Sequence, residues 1–327
     1  MIKKVFITGG AGYVGAVLTP YLLKKGYEVT VLDLMIYGEE VLTKNKNLKI
    51  IKGDIRDKNI LTKELPGHDV LIHLACISND PSFELNPELG KSINLDAFIP
   101  LVDIAKKSEV KRFIYASSSS VYGIKDEPNV NESMELEPLT DYSKFKADCE
   151  KMLFERSDKN FIPIVIRPAT VCGYSPRQRL DLVVNILTNL AYHKKEITVL
   201  GGEQLRPNIH IFDMVRAYEC LINAKDELVS CKIFNAGYEN QTVNHLASLV
   251  KEVVGDEVKI KHIESNDNRS YHISSKKIEK ELGFKTVKTI KDAIKDLKNA
   301  FDKKELVNTL SDEKYFNIKK MNNIKMK

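Results

Sequence analysis

Ile2-Lys3-Lys4-Val5-Phe6-Ile7-Thr8 runs straight into Gly9-Gly10-Ala11-Gly12-Tyr13-Val14-Gly15, and Glu28-Val29-Thr30-Val31-Leu32-Asp33 follows after a short interval. The first seven residues are β-branched and apolar enough for a strand. Past the glycines, Val14, Val17, Leu18, Tyr21 and Leu22 recur at helical spacing, and Lys24-Lys25-Gly26 closes that helix with cations and a glycine cap. Residues 28–32 read as a second strand that delivers Asp33 at its end. A strand, a glycine turn, a helix and a strand make a βαβ unit suited to a dinucleotide. Glycines admit a pyrophosphate to the backbone, and the N–H groups at the helix start meet its charge. Gly9, Gly12, Tyr13 and Val14 are the candidate residues of that turn. Asp33, an acid about 20 residues downstream, is placed for a ribose 2′-hydroxyl and would repel a 2′-phosphate, which favours NAD.

Outward from this unit the rhythm continues. Residues 48–51 read as a third strand, followed by Gly53-Asp54-Ile55-Arg56-Asp57. Asp54 is positioned to accept from an adenine amine and Ile55 to pack on the ring, with helix capping as the competing role for Asp54 and Asp57. Residues 70–74 form a fourth strand, and Leu74 and Ala75 lead to small residues over which a cofactor can lie. Residues 88–107 read as a long helix kinked or broken at Pro100. A fifth strand at 112–116 ends in four serines, Ser117 to Ser120. A helix over 141–156, capped by Asp141, precedes a sixth strand at 161–167. This alternation predicts an α/β fold, with a Rossmann-like, doubly wound parallel sheet over residues 1–168.

Beyond Pro168 the pattern loosens. Helices at 180–192, 242–254 and 290–301 and short strands at 197–200, 209–211 and 232–234 suggest a smaller mixed substrate-binding domain over 169–310, exchanging segments with the first. Residues 311–327, rich in Asn and Lys, read as a frayed basic tail.

Composition narrows the class. Hydrophobic residues make up 43% and charged residues 29% of 327, as in an ordinary soluble enzyme. No apolar run approaches the roughly 20 residues of a membrane span, and no signal-peptide pattern precedes the first strand, so the expected location is cytoplasmic. Five cysteines without a CxxC pair predict isolated thiols and no metal site. The net charge of +5 is spread along Lys-rich stretches with no basic, aromatic-interleaved stripe, which argues against nucleic acid.

Tyr142 and Lys146 lie four apart and so share a helical face. An ammonium beside a phenol favours the phenolate, making Tyr142 a candidate general base and leaving Lys146 able to hold a ribose hydroxyl. The serines before them are placed to orient a substrate hydroxyl.

Taken in order, the glycine turn from Thr8 to Gly15, Asp54-Ile55, Leu74-Ala75, the serines before Val121-Tyr122-Gly123, Tyr142-x-x-x-Lys146 and Arg167-Pro168 resemble the extended short-chain dehydrogenase/reductase family, in its NAD-dependent nucleotide-sugar epimerase/dehydratase branch. The resemblance covers about residues 2 to 300. It implies that Tyr142 takes the proton from a sugar C4 hydroxyl while hydride passes to NAD, with Lys146 assisting and Ser118 as the helping hydroxyl. It further implies that Arg206 and Arg269 bind the diphosphate of a nucleotide sugar, with Arg177 and Arg179 as weaker candidates, Arg179 for the substrate. His210 is expected to cap or buttress its turn.

The 4,6-dehydratases of this branch carry an Asp-Glu pair where this chain has Ser119-Ser120, which disfavours dehydration. The leading expectation is therefore a C4-epimerase working through a 4-keto intermediate, in surface-polysaccharide sugar synthesis. A C4 dehydrogenase or 4-keto reductase, and a non-catalytic NAD-binding regulator, are the alternatives. The resemblance also implies a homodimer that pairs the helices at 88–107 and 141–156, with Phe98, Leu101, Phe145 and Met152 as candidate contacts.

Overall fold

Val5, Phe6 and Ile7 have no exposed surface, so the strand that holds them must lie in mid-sheet with both faces covered. The computed structural model, which describes residues 2–264, 270 and 272–324, places them there. In chain order, β1 (Lys4–Thr8), α1 (Gly15–Lys24), β2 (Glu28–Asp33), β3 (Leu48–Lys52), α2 (Lys58–Glu64) and β4 (Val70–His73) come first. Next are α3 (Asp80–Glu84), α4 (Pro87–Lys91), α5 (Phe98–Lys107), β5 (Arg112–Ala116), α6 (Asp141–Phe154) and β6 (Ile162–Pro168). These six strands and a later one form a seven-stranded sheet, and all of its pairings are parallel.

The remaining elements are β7 (Thr170–Cys172), α7 (Val183–Lys194), β8 (Glu196–Leu200), β9 (Leu205–His210), α8 (Ile211–Asn223), α9 (Asp226–Val229), β10 (Lys232–Ala236), β11 (Glu239–Thr242), α10 (Val243–Val254), β12 (Lys259–Ile263), α11 (Lys276–Leu282), α12 (Ile290–Asp302) and α13 (Asn317–Asn323). The large sheet has the order β10-β6-β5-β4-β1-β2-β3, so the winding reverses between β1 and β4, where such sheets bind ligands. The smaller part carries a three-stranded sheet, β11-β9-β7, and the parallel pair β12-β8. The Rossmann-like α/β architecture is as the alternation of strands and helices predicts.

The two parts share chain. β10 pairs with β6 in the large sheet, and α8 lies on α1, where Tyr27 donates to Asn223 at 2.9 Å. Arg112, 2% exposed, binds the carbonyls of Leu221 and Ala224 at the end of α8. A buried guanidinium can cap a helix C-terminus in this way because the last carbonyls lack intrahelical donors.

Three local expectations are corrected. The long helix does break for one turn, just before Pro100: Ser92–Asp96 is a π-type turn, inside which Asn94 grips both backbone groups of Ile77 at 2.8 and 2.9 Å. The ring of Pro100 opposes the carbonyl of Asp96, so the regular ladder cannot run through. Thr140, not Asp141, caps α6, through a capping box with Ser143. The apparent strand at 209–211 is the end of β9 running directly into α8, whose first turn His210 caps by accepting from Phe212 N–H at 3.0 Å. The tail is not frayed over residues 312–324, because Tyr315 and Asn317 are buried and α13 packs on α3.

Phe98 and Leu101 are buried inside this chain's own core and present nothing to a partner. Among the described residues no helix is long and apolar enough to cross a membrane, and no cluster of potential metal ligands occurs.

Candidate active site

A cavity of about 560 Å³ opens at the C-terminal ends of β1, β2, β4 and β5. Gly9 turns the chain at φ +75°, and a Cβ there would come within 2.6 Å of Ala75 N, so only glycine lets β1 and β4 end this close together. A Cβ on Gly15 would sit 2.5 Å from Gly9 O, whereas one on Gly12 would meet nothing nearer than 3.2 Å. The turn is thus packed tight from behind and open on its cavity face, a cradle that fits a dinucleotide diphosphate. Val14 lines the same face. The Tyr13 hydroxyl is engaged elsewhere, donating to Gly173 O at 2.6 Å and accepting from Asn185 Nδ2 at 3.0 Å.

Asp33 closes the turn, accepting from Ala11 N–H at 3.0 Å and Met35 N–H at 2.8 Å. Burial pushes its carboxyl up, and the two N–H groups and Arg177 oppose that shift. Asp54 and Ile55 line the cavity beyond it. Burial works against the Asp54 carboxylate, but the Arg56 fork, with Nη2 at 2.6 Å, holds it below the usual range. Asp54 therefore meets any ligand as half of an ion pair. Leu74 and Ala75 line the opposite flank.

The candidate catalytic residues gather where β5 ends. Ser118 is extended, caps the 3₁₀ turn Ser119–Tyr122, and shares a 2.9 Å hydrogen bond with Ser120 Oγ. Tyr142, half-buried, projects from the first turn of α6 and lines the same cavity as Ser118. One turn on, Lys146 donates from Nζ to Ala116 O at 2.7 Å and lies 5.8 Å from the Tyr142 ring centroid. Ser118, Tyr142 and Lys146 are therefore brought together.

Their electrostatics differ from the expectation that Lys146 sets the phenol. Burial pushes the Tyr142 hydroxyl up, with Cys76 and Asp80 adding, while Arg179 and the nearby Ser118 hydroxyl pull it down. Lys146 spends one N–H on a carbonyl and faces the ring, so desolvation outweighs it.

Arg179 is buried, bound through Nε to Asp181 at 2.9 Å and through Nη1 to Ser78 at 3.2 Å. Its Nη2 has no hydrogen-bond partner among the described residues, so it can serve an incoming anion. Arg206 lines the far end of the cavity, one N–H on Leu205 O at 2.9 Å. Arg269 lies outside the described residues.

The model of the NAD dependent epimerase/dehydratase family matches residues 5–237. This chain belongs to that family. An uncharacterised UDP-glucose epimerase of Bacillus subtilis is 32% identical over 266 residues, 77% of this chain and 82% of that one. A dTDP-D-glucose 4,6-dehydratase of Dictyostelium discoideum is 30% identical over 74% of this chain and 60% of its own length. In structure, a UDP-glucose 4-epimerase of Thermotoga maritima crystallised with UDP-glucose superposes with a TM-score of 0.84 at 25% identity, over 93% of this chain and all of that one.

As a member of the epimerase/dehydratase family, the chain is an NAD-dependent enzyme, and two supports of its site escape a reading of the sequence. Below the serines, Arg167 and Glu150 form a buried two-bond pair at 2.9 and 2.5 Å, and Ser117 donates to the same carboxylate. Arg167 also donates to Tyr122 OH at 2.8 Å. Through Glu150, Ser117 ties the serine strand to the helix that carries Tyr142 and Lys146. The one available signal was Glu150 itself, an acid one turn past Lys146 on the same buried face. The second support, Asn317 against Tyr37 and Arg177, had no local signal at all.

Proposed function

We propose that this enzyme is a nucleotide-sugar C4-epimerase that works through a 4-keto intermediate. The observation that carries this reading is the pair of positions after Ser118. Ser119 is buried and Ser120 is hydrogen-bonded back to Ser118, so neither offers the carboxyl group that elimination of water requires. Ser118, Tyr142 and Lys146 are equipment for moving one proton.

In this reading Tyr142, as the phenolate, takes the C4–OH proton and later returns it, with the neighbouring Ser118 hydroxyl placed to hold the substrate oxygen in line. NAD, when bound, supplies the hydride acceptor and, in its oxidised form, a positive charge that favours the phenolate. Lys146, fixed by Ala116 O, keeps two N–H groups for a ribose hydroxyl. Arg206 and the open Nη2 of Arg179 receive the sugar nucleotide's diphosphate, as guanidiniums do best. Since Phe98 and Leu101 lie inside the subunit, a homodimer would draw its helical contacts from Phe145 and Met152 on α6.

The experiment is incubation with UDP-, dTDP-, GDP- and CDP-hexoses. The C4 epimer of one of them should appear by NMR, with no net rise in reduced-nicotinamide absorbance. Stoichiometric reduced cofactor, or a 4-keto-6-deoxy product, would overturn the assignment.

A further inference from the structure

Tyr37 follows β2 and Ser78 follows β4, so they stand on opposite flanks of the β1 end, across which a dinucleotide must lie in a doubly wound sheet. One side chain joins them. Asn317, at the start of α13, accepts from Tyr37 OH at 3.1 Å and donates from Nδ2 to Ser78 Oγ at 3.0 Å. Its Oδ1 also accepts from Arg177 Nη2 at 2.5 Å, and its backbone N–H donates to Asp181 Oδ2 at 2.9 Å. Both Asn317 and Met321, one turn further along α13, line the cavity.

Arg177 is the unexplained charge of this region. It is 3% exposed, lies 3.5 Å from the Tyr37 ring centroid, and lines the cavity. Nε and Nη1 have no hydrogen-bond partner among the described residues, an expensive state for a buried cation. Burial pushes it down to about 10. Asp33 beside it is already occupied by two backbone N–H groups, and Asp181 by Arg179. An anion entering the cavity would satisfy these donors, and the cradle of the glycine turn suits a diphosphate.

We propose that α13 is a strap across the dinucleotide groove, in which Asn317 holds the Arg177 guanidinium against the cofactor's diphosphate. The proposal rests on the NAD reading of the glycine turn but on no particular sugar or reaction. With the strap in place, NAD leaves only when Asn317 gives up its bonds to Tyr37, Ser78 and Arg177, so the cofactor stays bound from one turnover to the next.

The test uses the full chain without any sugar nucleotide, so an error in the assigned reaction does not affect it. Release of bound NAD is followed by chasing with isotopically labelled NAD and weighing the retained cofactor by mass spectrometry. Asn317→Ala should release NAD at least about tenfold faster, the loss of one or two hydrogen bonds. Arg177→Met should do the same while melting no lower than the parent when NAD-free, because it replaces a buried charge, two of whose three nitrogens have no partner, by an apolar chain. Lys320→Ala, on the same helix but paired with Glu313, should release at the parental rate. Parental release from Asn317→Ala and Arg177→Met would overturn the strap. So would equal acceleration by Lys320→Ala, or a lower NAD-free melting temperature for Arg177→Met with parental release.

Discussion

The wall of the cleft made by the glycine turn and the wall that faces it are built over very different chain distances. The first is closed by Ala11 on Asp33, 22 residues apart, within one βαβ unit. The second is closed by Arg179 on Ser78, 101 residues apart, and by Tyr37 on Asn317, 280 apart. A short-range wall keeps its shape wherever its own strands and helix form. A long-range wall exists only when every part of the fold has docked. Damage to the first should therefore read out as local loss of affinity, and damage to the second as loss of geometry or of the fold.

The largest effect is expected where the two walls meet at Tyr142. Tyr142→Phe removes the only proton carrier of the proposed reaction and should lower kcat about 10⁴-fold, the upper end for general acid–base catalysis, with NAD still bound. Steady-state assays on the active hexose nucleotide, with cofactor content by absorbance, check it; unchanged turnover would take the phenol out of the chemistry.

Next is the long-range support beneath it. Glu150→Gln leaves the Arg167 guanidinium, 2% exposed, facing a neutral amide. Breaking a buried ion pair from one side costs about 3 kcal/mol, so urea denaturation should show a lower midpoint at unchanged slope. The short-range wall should be more forgiving. Asp33→Asn keeps an acceptor for only one of the two N–H groups and removes the charge that repels a 2′-phosphate. NAD should bind about tenfold more weakly and the preference over NADP should shrink, as calorimetric titration of both cofactors would show.

The same contrast explains what could be read in advance. The βαβ unit, the strand alternation and the Tyr142–Lys146 pair follow from period-two and period-3.6 patterns and from i,i+4 spacing, all of them local. Ser118 came from resemblance. The Glu150–Arg167 pair, the Asn317 bridge and the burial of Arg177 with Nε and Nη1 unsatisfied depend on which distant segments meet, and no spacing encodes that. α13 is too short for its periodicity to show, so its residues looked like a loose tail. The sign of the Tyr142 shift also needed the structure, because burial outweighs a neighbouring ammonium only once the depth of the site is known.

His73, at the end of β4, lies beneath the cleft between β1 and β5 and gives the most graded test. Its Nδ1 is 2.7 Å from Thr8 Oγ1 of β1, and its ring stacks on Tyr115 of β5 at 5.8 Å. Burial, with Lys146 adding, pushes its pKa down to about 3, so the folded protein keeps it neutral. In the unfolded chain it takes up a proton near its ordinary value of about 6.5. The unfolded state therefore binds the extra proton between those values. The contribution is fully present above about pH 6.5 and is lost as the pH falls toward 3, at up to about 1.4 kcal/mol per pH unit. Unfolding free energies measured at pH 7, 6 and 5 should fall along that slope. His73→Asn, which cannot titrate there, should start lower at pH 7 and flatten the decline by about one proton. An equally steep decline in the variant would move the acid sensitivity away from the seam between β1 and β4.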